Sequence, residues 1–346
     1  MAMFGRSARI KVEVAAKTDL GRTRDHNEDR FLVADLTRKA ASPQPDARPQ
    51  EIGPRGTLLV VADGMGGAAA GELASQMATD AIYAHLAKTW NEDDATAQRF
   101  AYRLKEAVEV ANASIHAHAK AHPELRGMGT TTTAAGVLND HLYLTQVGDS
   151  RAYLIRGGEA HQLTKDQSLM QRLVEAGELT EEEAAQSERR NIILQALGPD
   201  PKVKVDLTHQ ELRRGDILVL CSDGLSGQVK KEEIAKVVTS APSLAAAADQ
   251  LVALANERGG PDNITVVVAR FDGDGLRTSG IGTPEDVGHQ VYPLIDTETS
   301  TEPVPVYKGS RPPVPRNTES RARTRTIVLA ALAVLAALAW YLTRAK

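Results

Sequence analysis

The chain has 346 residues, 42% hydrophobic and 25% charged, with 41 Lys and Arg against 45 Asp and Glu for a net charge of -4. That balance offers no basic surplus of the kind that nucleic-acid binding uses, so no nucleic-acid partner is expected and a protein partner fits better. A single cysteine excludes an intramolecular disulfide, and Met1 to Val14 lacks the apolar core of a secretory signal, so the folded part is expected in the cytoplasm.

Length alone suggests about two domains. The patterns below nevertheless run through most of the chain and must converge, which favours one folded domain over residues 10–271 followed by a tail. Residues 10–35 alternate well enough for two strands around the turn-rich stretch Thr18 to Asp29, and the proline-rich stretch Lys39 to Gly56 reads as a loop or hairpin excursion. Leu58 to Ala62 is an apolar strand running into Asp63-Gly64-Met65-Gly66-Gly67.

Two amphipathic helices follow. Gly71 to Leu86 carries Leu73, Met77, Ala81 and Ala84 on one face, and Ala95 to Ala121 carries Phe100, Leu104, Ala107, Ala111 and Ile115. These stripes are ordinary core, and His116, His118 and His122 are expected on a wet face rather than on zinc. From Gly129 the period changes to two, with strands at Thr130 to Leu138, His141 to Val147 and Arg151 to Arg156 joined by short turns, so the sheet should be mainly antiparallel.

Thr164 to Gly198 reads as a mostly helical insertion, with Leu169 to Ala176 and a capping box at Thr180 to Glu183. Leu212 to Leu220 and Ile264 to Phe271 supply closing strands, with a helix at Leu244 to Asn256 between them. Strand blocks separated by helices point to a layered α+β domain.

Beyond Asp272 the character changes. Residues 272–325 form a Pro- and Thr-rich linker with no sustained apolar period, basic at its end through Arg321, Arg323 and Arg325. Ile327 to Leu342 then runs without a charge, so residues 326–343 are expected to form one transmembrane helix with Trp340 and Tyr341 at an interface. With the basic cluster before the span, the chain is expected in the cell membrane as a single-pass, tail-anchored protein whose folded domain faces the cytoplasm.

The chemistry is carried by carboxylates. Asp63-Gly64 and Asp223-Gly224 each end an apolar run, Asp149 sits between two runs, Asp262 precedes Ile264 to Val268, and Glu28-Asp29 precedes Phe31 to Val33. So many acidic groups at strand ends, with little nearby to neutralise them, repel one another unless cations lie between them. Oxygen ligands select Mg²⁺ or Mn²⁺ over zinc, and Cys221, inside an apolar strand with no phosphate-cradling loop after it, argues against a cysteine nucleophile.

The ordered set Gly21-x-x-Arg24-x-x-Asn27-Glu28-Asp29, Asp63-Gly64-Met65-Gly66-Gly67, Gly129-Thr130-Thr131, Val147-Gly148-Asp149-Ser150-Arg151, Ser222-Asp223-Gly224-Leu225 and Gly260-Pro261-Asp262-Asn263 resembles the metal-dependent type 2C protein serine/threonine phosphatases in their bacterial form. The resemblance covers roughly residues 10–271. It implies a β-sandwich of two mainly antiparallel sheets flanked by helices, and hydrolysis of phosphoserine and phosphothreonine by direct attack of a hydroxide bridging two Mn²⁺ or Mg²⁺ ions.

By that resemblance Glu28, Asp63, Gly64, Asp223 and Asp262 hold the ions, with Asp63 bridging, and Asp149 with Asp223 serves a third, weaker one. Asp29 and Asn263 orient ligands and bound water, and Arg24 grips the substrate phosphate, so Arg24, Asp63 and Asp223 are the expected catalytic residues. Residues 164–198 correspond to the flap beside the cleft. Substrates would be phosphorylated proteins made by a serine/threonine kinase. Met65 departs from relatives with a histidine there, and a thioether cannot protonate a leaving alkoxide. Two other readings stay open: a metal-dependent small-molecule phosphatase or phosphodiesterase, and a non-catalytic phosphoprotein-binding module.

Overall fold

The computed structural model describes residues 9–294 except 43–44, 46, 93–95 and 279–286. Two antiparallel sheets face each other. The first runs β10 (Glu159–Gln162), β9 (Arg151–Arg156), β13 (Ile217–Cys221), β14 (Ile264–Asp272), β1 (Lys11–Asp19) and β4 (Gln50–Glu51). The second runs β11 (Asp206–Glu211), β8 (His141–Val147), β7 (Thr132–Leu138), β5 (Thr57–Met65), β2 (Asp29–Asp35) and β3 (Ala40–Ser42), with β6 (Gly129–Thr130) beside the end of β5.

The central strands are buried on both faces, which explains their unbroken apolar sequences. In β5, Leu59 and Val61 point between the sheets and pack with Leu218, Leu220, Val267 and Phe271. The alternate residues Leu58, Val60 and Ala62 point outward against α1 (Ala68–Thr89) and α2 (Ala97–Ala121). The outer face of the first sheet is covered by α6 (Lys231–Ser240) and α7 (Leu244–Glu257), packed on Val219, Val266 and Val268. Each fully buried Val, Leu or Ile in these layers contributes about 1.5–3 kcal/mol.

Helix α1 presents Ala70, Ala74, Ala78 and Ala81 to this core, all buried, and small side chains let it lie close on β5. It begins at Ala68, three residues before the expected Gly71, immediately after Gly66 and Gly67 turn the chain at φ 110° and 88°. Those angles favour glycine. Helix α2 begins at a cap where Arg99 N donates to Thr96 Oγ1 at 3.3 Å.

Several expectations need correction. Residues 164–198 contain only two short helices, α3 (Leu169–Glu175) and α4 (Glu181–Gln186), so the segment is largely irregular. The capping box at Thr180 and Glu183 is present. The strand expected from Leu212 begins at Ile217, because Gly215 at φ 88° breaks the run and Arg213–Arg214 forms a separate short strand, β12, paired with β15 (Arg277–Thr278). Strand β11 and helix α6 were not singled out in the sequence. Asp223 opens a one-turn helix, α5 (Asp223–Ser226), rather than ending a strand.

The expected linker also contains ordered chain. Residues 287–294 lie along the β11 edge, with His209 N donating to Gln290 O and Tyr292 N to Leu207 O, both at 2.9 Å. Tyr292 and Leu294 pack on the core beneath α2, which composition averaged over a polar stretch conceals. The predicted span at 326–343 lies outside the described residues. Among the described residues no helix is long and apolar enough to cross a membrane.

Candidate metal centre

The site is built at one end of the sandwich, where β2 and β5 bring Asp29 and Asp63 directly opposite each other in register. Past that pair Gly64 N donates to Glu28 O at 3.2 Å, which draws Glu28 alongside. Glycine is required here because a Cβ at Gly64 would lie 2.2 Å from Gly71 O and 2.7 Å from Glu28 O. A Cβ at Gly71 would meet Glu28 Oε2 at 1.8 Å, so the Glu28 carboxylate rests against the start of α1.

Asp63 is clamped through its backbone. Its N–H donates to Thr131 Oγ1 at 3.1 Å, and its carbonyl accepts from Thr131 N and Thr130 Oγ1, both at 2.8 Å. Asp29 is buried, and its Oδ2 accepts from Ser222 Oγ at 2.7 Å, while Ser222 Oγ accepts from Thr265 N at 3.0 Å. Asn263 ties down the loop between β1 and β2 at three points: its Oδ1 accepts from Glu28 N at 2.9 Å, and its Nδ2 donates to Leu20 O and His26 O at 3.0 and 2.9 Å. The expected orienting roles of Asp29 and Asn263 thus coincide with buried, bonded positions.

The acidic groups converge electrostatically. Burial, followed by the charges of Asp29, Asp223, Asp149 and Asp262, holds the Asp63 carboxyl well above the usual range. Burial pushes Asp29 up to about 7 and Asp149 up to about 8, in both cases aided by Asp223. Burial and then Asp262 raise Asp223, and burial raises Glu28. Arg24 and Arg151 are the arginines whose charge reaches this set, yet Arg24 is paired with Asp262 and Arg151 is held bidentate by Asp166, Nη2 to Oδ2 at 2.6 Å.

Asp29 Oδ1 and Asp223 Oδ1 are buried without a hydrogen-bond partner. Buried acceptors left unmatched within a mutually repelling carboxylate set fit divalent cations well. No three His, Cys, Asp or Glu side chains among the described residues close into a ready-made cage. Mg²⁺ and Mn²⁺ suit such an open set, since Mg²⁺ keeps several waters and takes one or two carboxylates rather than a dedicated cage, and Mn²⁺ shares its preference for oxygen ligands.

Register, hydrogen bonds and mutual electrostatics place Glu28, Asp29, Asp63, Asp149, Asp223, Asp262, Asn263 and Arg24 at this end of the sandwich. Met65 lies at the end of β5 and is half-buried. Cys221 is fully buried and its thiol is pushed up to about 12, an inert core position. The supporting hydroxyls were not assigned roles beforehand: Ser222, Thr130, and Thr131, which bonds Ser150 Oγ at 2.8 Å. A run of buried threonines, Thr130 to Thr133, at the junction of β6 and β7 is the signal that marks the two threonines.

A family model described as "Protein phosphatase 2C" matches residues 37–263. The serine/threonine protein phosphatase PstP of Mycobacterium tuberculosis is 42% identical over 260 residues, 75% of this chain and 45% of its own length. The chain thus spans under half of that relative. The serine/threonine phosphatase stp of Listeria monocytogenes is 37% identical over 258 residues, 74% of this chain and 94% of its own. A crystal structure of the PstP catalytic domain in complex with two manganese ions has 39% identity and a TM-score of 0.61, covering 76% of this chain and 99% of that one. Two antiparallel sheets flanked by helices, an acidic centre at their end and these matches define the class, and the chain belongs to the protein phosphatase 2C family.

Proposed function

We propose that the chain is a protein serine/threonine phosphatase that hydrolyses phosphoserine and phosphothreonine in proteins with two Mn²⁺ or Mg²⁺ ions. The observation that carries this reading is the convergence of the raised carboxylates of Asp63, Asp29, Asp149, Asp223 and Glu28 opposite the Arg24 guanidinium. The bound ions would supply positive charge for the phosphate oxygens and lower the pKa of water at the site. Asp63, Gly64 O, Glu28, Asp223 and Asp262 would hold them, with Asp149 and Asp223 serving a third.

Asp29 and Asn263 keep these ligands in place, through Ser222 and through the Glu28 amide. Arg24, half exposed at the mouth, would bind the phosphate and neutralise charge on the transferring group, where electrostatic stabilisation carries most of the rate enhancement. Met65 holds no proton to give the leaving alkoxide, so water is the proton donor in this reading.

The physiological setting is part of the proposal. Residues 326–343 would anchor the chain in the cell membrane with residues 10–271 in the cytoplasm, and the substrates would be membrane-proximal products of a serine/threonine kinase. The decisive assay is Mn²⁺-dependent phosphate release from phosphothreonine peptides in competition with metabolite phosphates and phosphodiesters. Preference for the metabolites would favour a small-molecule enzyme, and peptide binding without turnover would favour a binding module.

A further inference from the structure

We propose that residues 287–294 are a strap that completes the second sheet at β11 and, through β11, holds the Asp149 loop and the base of segment 164–198 in place. The strap adds a strand by main-chain bonds. His209 N donates to Gln290 O and Tyr292 N to Leu207 O, and Thr208 faces Val291 in an antiparallel bridge. Side chains alternate as strand addition requires. Val291 is 68% exposed, whereas the Tyr292 ring stands edge-on to Tyr143 at 5.4 Å and to His209 at 5.1 Å, and Leu294 packs on the same core.

Two hydrogen-bonded routes run from β11 to the residues flanking Asp149. Asp206 Oδ2 accepts from Gln167 Nε2 at 2.9 Å, and Gln167 brackets Gly148: its Oε1 accepts from Gly148 N at 3.0 Å and its N–H donates to Gly148 O at 2.9 Å. Asp206 also pairs in register with Gln146, whose Nε2 donates to Gly148 O at 2.9 Å and Ser150 O at 2.7 Å. Gln167 additionally accepts from Leu194 N at 2.7 Å, which fixes the return of segment 164–198 to the same point. His289 of the strap lies within electrostatic reach of Lys165 and Glu175 on that segment.

Without the strap β11 is a bare edge strand, and an edge strand held by one neighbour opens more readily than a central one. Opening at Asp206 removes the contact that holds Gln167 Nε2 and the strand pairing beside Gln146, which loosens both residues that bracket Gly148. Gln167 is therefore a positioning residue for Asp149, and the strap sets how firmly it acts. The consequence for ion binding rests on the function proposed above, whereas the consequence for backbone opening does not.

The test uses the full chain in detergent micelles with Tyr292→Ala, Tyr292→Phe and Gln167→Leu. Amide exchange is read over residues 146–151 and 206–210, Mn²⁺ affinity of the weakest site by paramagnetic resonance, and turnover on a small aryl phosphate. Tyr292→Ala should speed exchange in both stretches and weaken the weakest Mn²⁺ site about fivefold or more, with Tyr292→Phe close to the parent. Gln167→Leu should reproduce the change at 146–151 while 206–210 stays protected. Faster exchange confined to 206–210 in Tyr292→Ala would reduce the strap to an edge cover and overturn the proposal. If Tyr292→Ala does not fold, unchanged exchange at 146–151 in Gln167→Leu overturns it instead. A parent chain that binds no Mn²⁺ and turns nothing over would reject the proposed function, and the exchange result would still decide the strap.

Discussion

Arg24 and Asp262, 238 positions apart in the sequence, meet in an ion pair with Nη2 to Oδ2 at 2.9 Å. The contact, with Asp262 as its main partner, raises the Arg24 pKa and ties the loop before β2 to the entry of β14. Replacing Arg24 by Ala removes the proposed phosphate contact and also frees Asp262. A charge-assisted contact contributes about 1.5–3 kcal/mol, so kcat/KM for phosphopeptides should fall roughly ten- to a hundredfold. Unchanged kinetics with both peptides and aryl phosphates would place Arg24 outside the reaction.

Asp63→Asn and Asp223→Asn each remove a charge from the centre while keeping the shape of the side chain. Turnover should fall by orders of magnitude at saturating Mn²⁺, with thermal stability of the ion-free protein unchanged or raised, because a repelling buried charge is gone. Near-parental turnover in either variant at high Mn²⁺ would refute the ligand assignment.

The raised carboxylates also fix a sign for pH dependence. Asp29 near 7 and Asp149 near 8 hold protons in the native state that the unfolded chain has lost above about pH 4. Their contribution to stability is therefore full below about pH 4 and falls as pH rises through 7 and 8. Cations reverse this, since they bind the deprotonated groups and release the protons. The rise in Tm on adding Mn²⁺ should be larger near pH 8 than near pH 5.5, measured by differential scanning fluorimetry. Equal shifts at both would mean that these carboxylates do not face the ions.

The acidic centre was legible because Asp63, Asp149 and Asp223 each sit beside a glycine, while Glu28, Asp29 and Asp262 shortly precede apolar runs. Central strands such as β5 and β14 were legible for a related reason: buried on both faces, they leave unbroken hydrophobic sequence. Strand β11 was not, because Asp206-Leu207-Thr208-His209-Gln210-Glu211 is polar at most positions and finds its strand partners in β8 and in residues 290–292, far away in sequence. The strap escaped notice for the same physical cause. Eight residues with two partly buried anchors, set between long polar stretches, carry no period that a window can detect.

A purely structural pair offers a control on the fold. Arg156 donates to Asp216 through Nε at 3.0 Å and Nη2 at 2.7 Å, with side chains only 8% and 1% exposed. Asp216 also accepts from Arg213 N at 2.8 Å, which shapes the turn into β13. Asp216→Ala leaves a guanidinium buried without its countercharge and should cost about 3–5 kcal/mol of stability. Denaturant unfolding should show that loss while kcat/KM of the folded fraction is retained. A loss below about 1 kcal/mol would mean that water reaches this pair as it does a surface bridge.

The strap changes where the chain can be cut ahead of its tail. As the proposed helix, residues 326–343 at 1.5 Å each would reach about 27 Å, slightly short of the ~30 Å hydrocarbon core but within what snorkelling flanks or local thinning accommodates. The stretch Ile327 to Leu342 is uncharged and apolar on every face, with Trp340 and Tyr341 near one end, as an interface favours. Arg321, Arg323 and Arg325 precede it, while Arg344 and Lys346 follow, a charge bias that under the proposed anchor would orient residues 10–271 toward the cytoplasm. The full chain should pellet with membranes and resist extraction by salt or alkaline carbonate. A chain ending at Leu294 keeps the strap and should be soluble with parental turnover on phosphopeptides. A chain ending at Thr278 keeps Leu276 and β15 and is equally free of the span, yet lacks the strap, and should bind its weakest Mn²⁺ less tightly. Recovery of the full chain in the soluble fraction of gently lysed cells would reject the anchor, and identical Mn²⁺ binding by the two truncations would separate that outcome from any role of the strap.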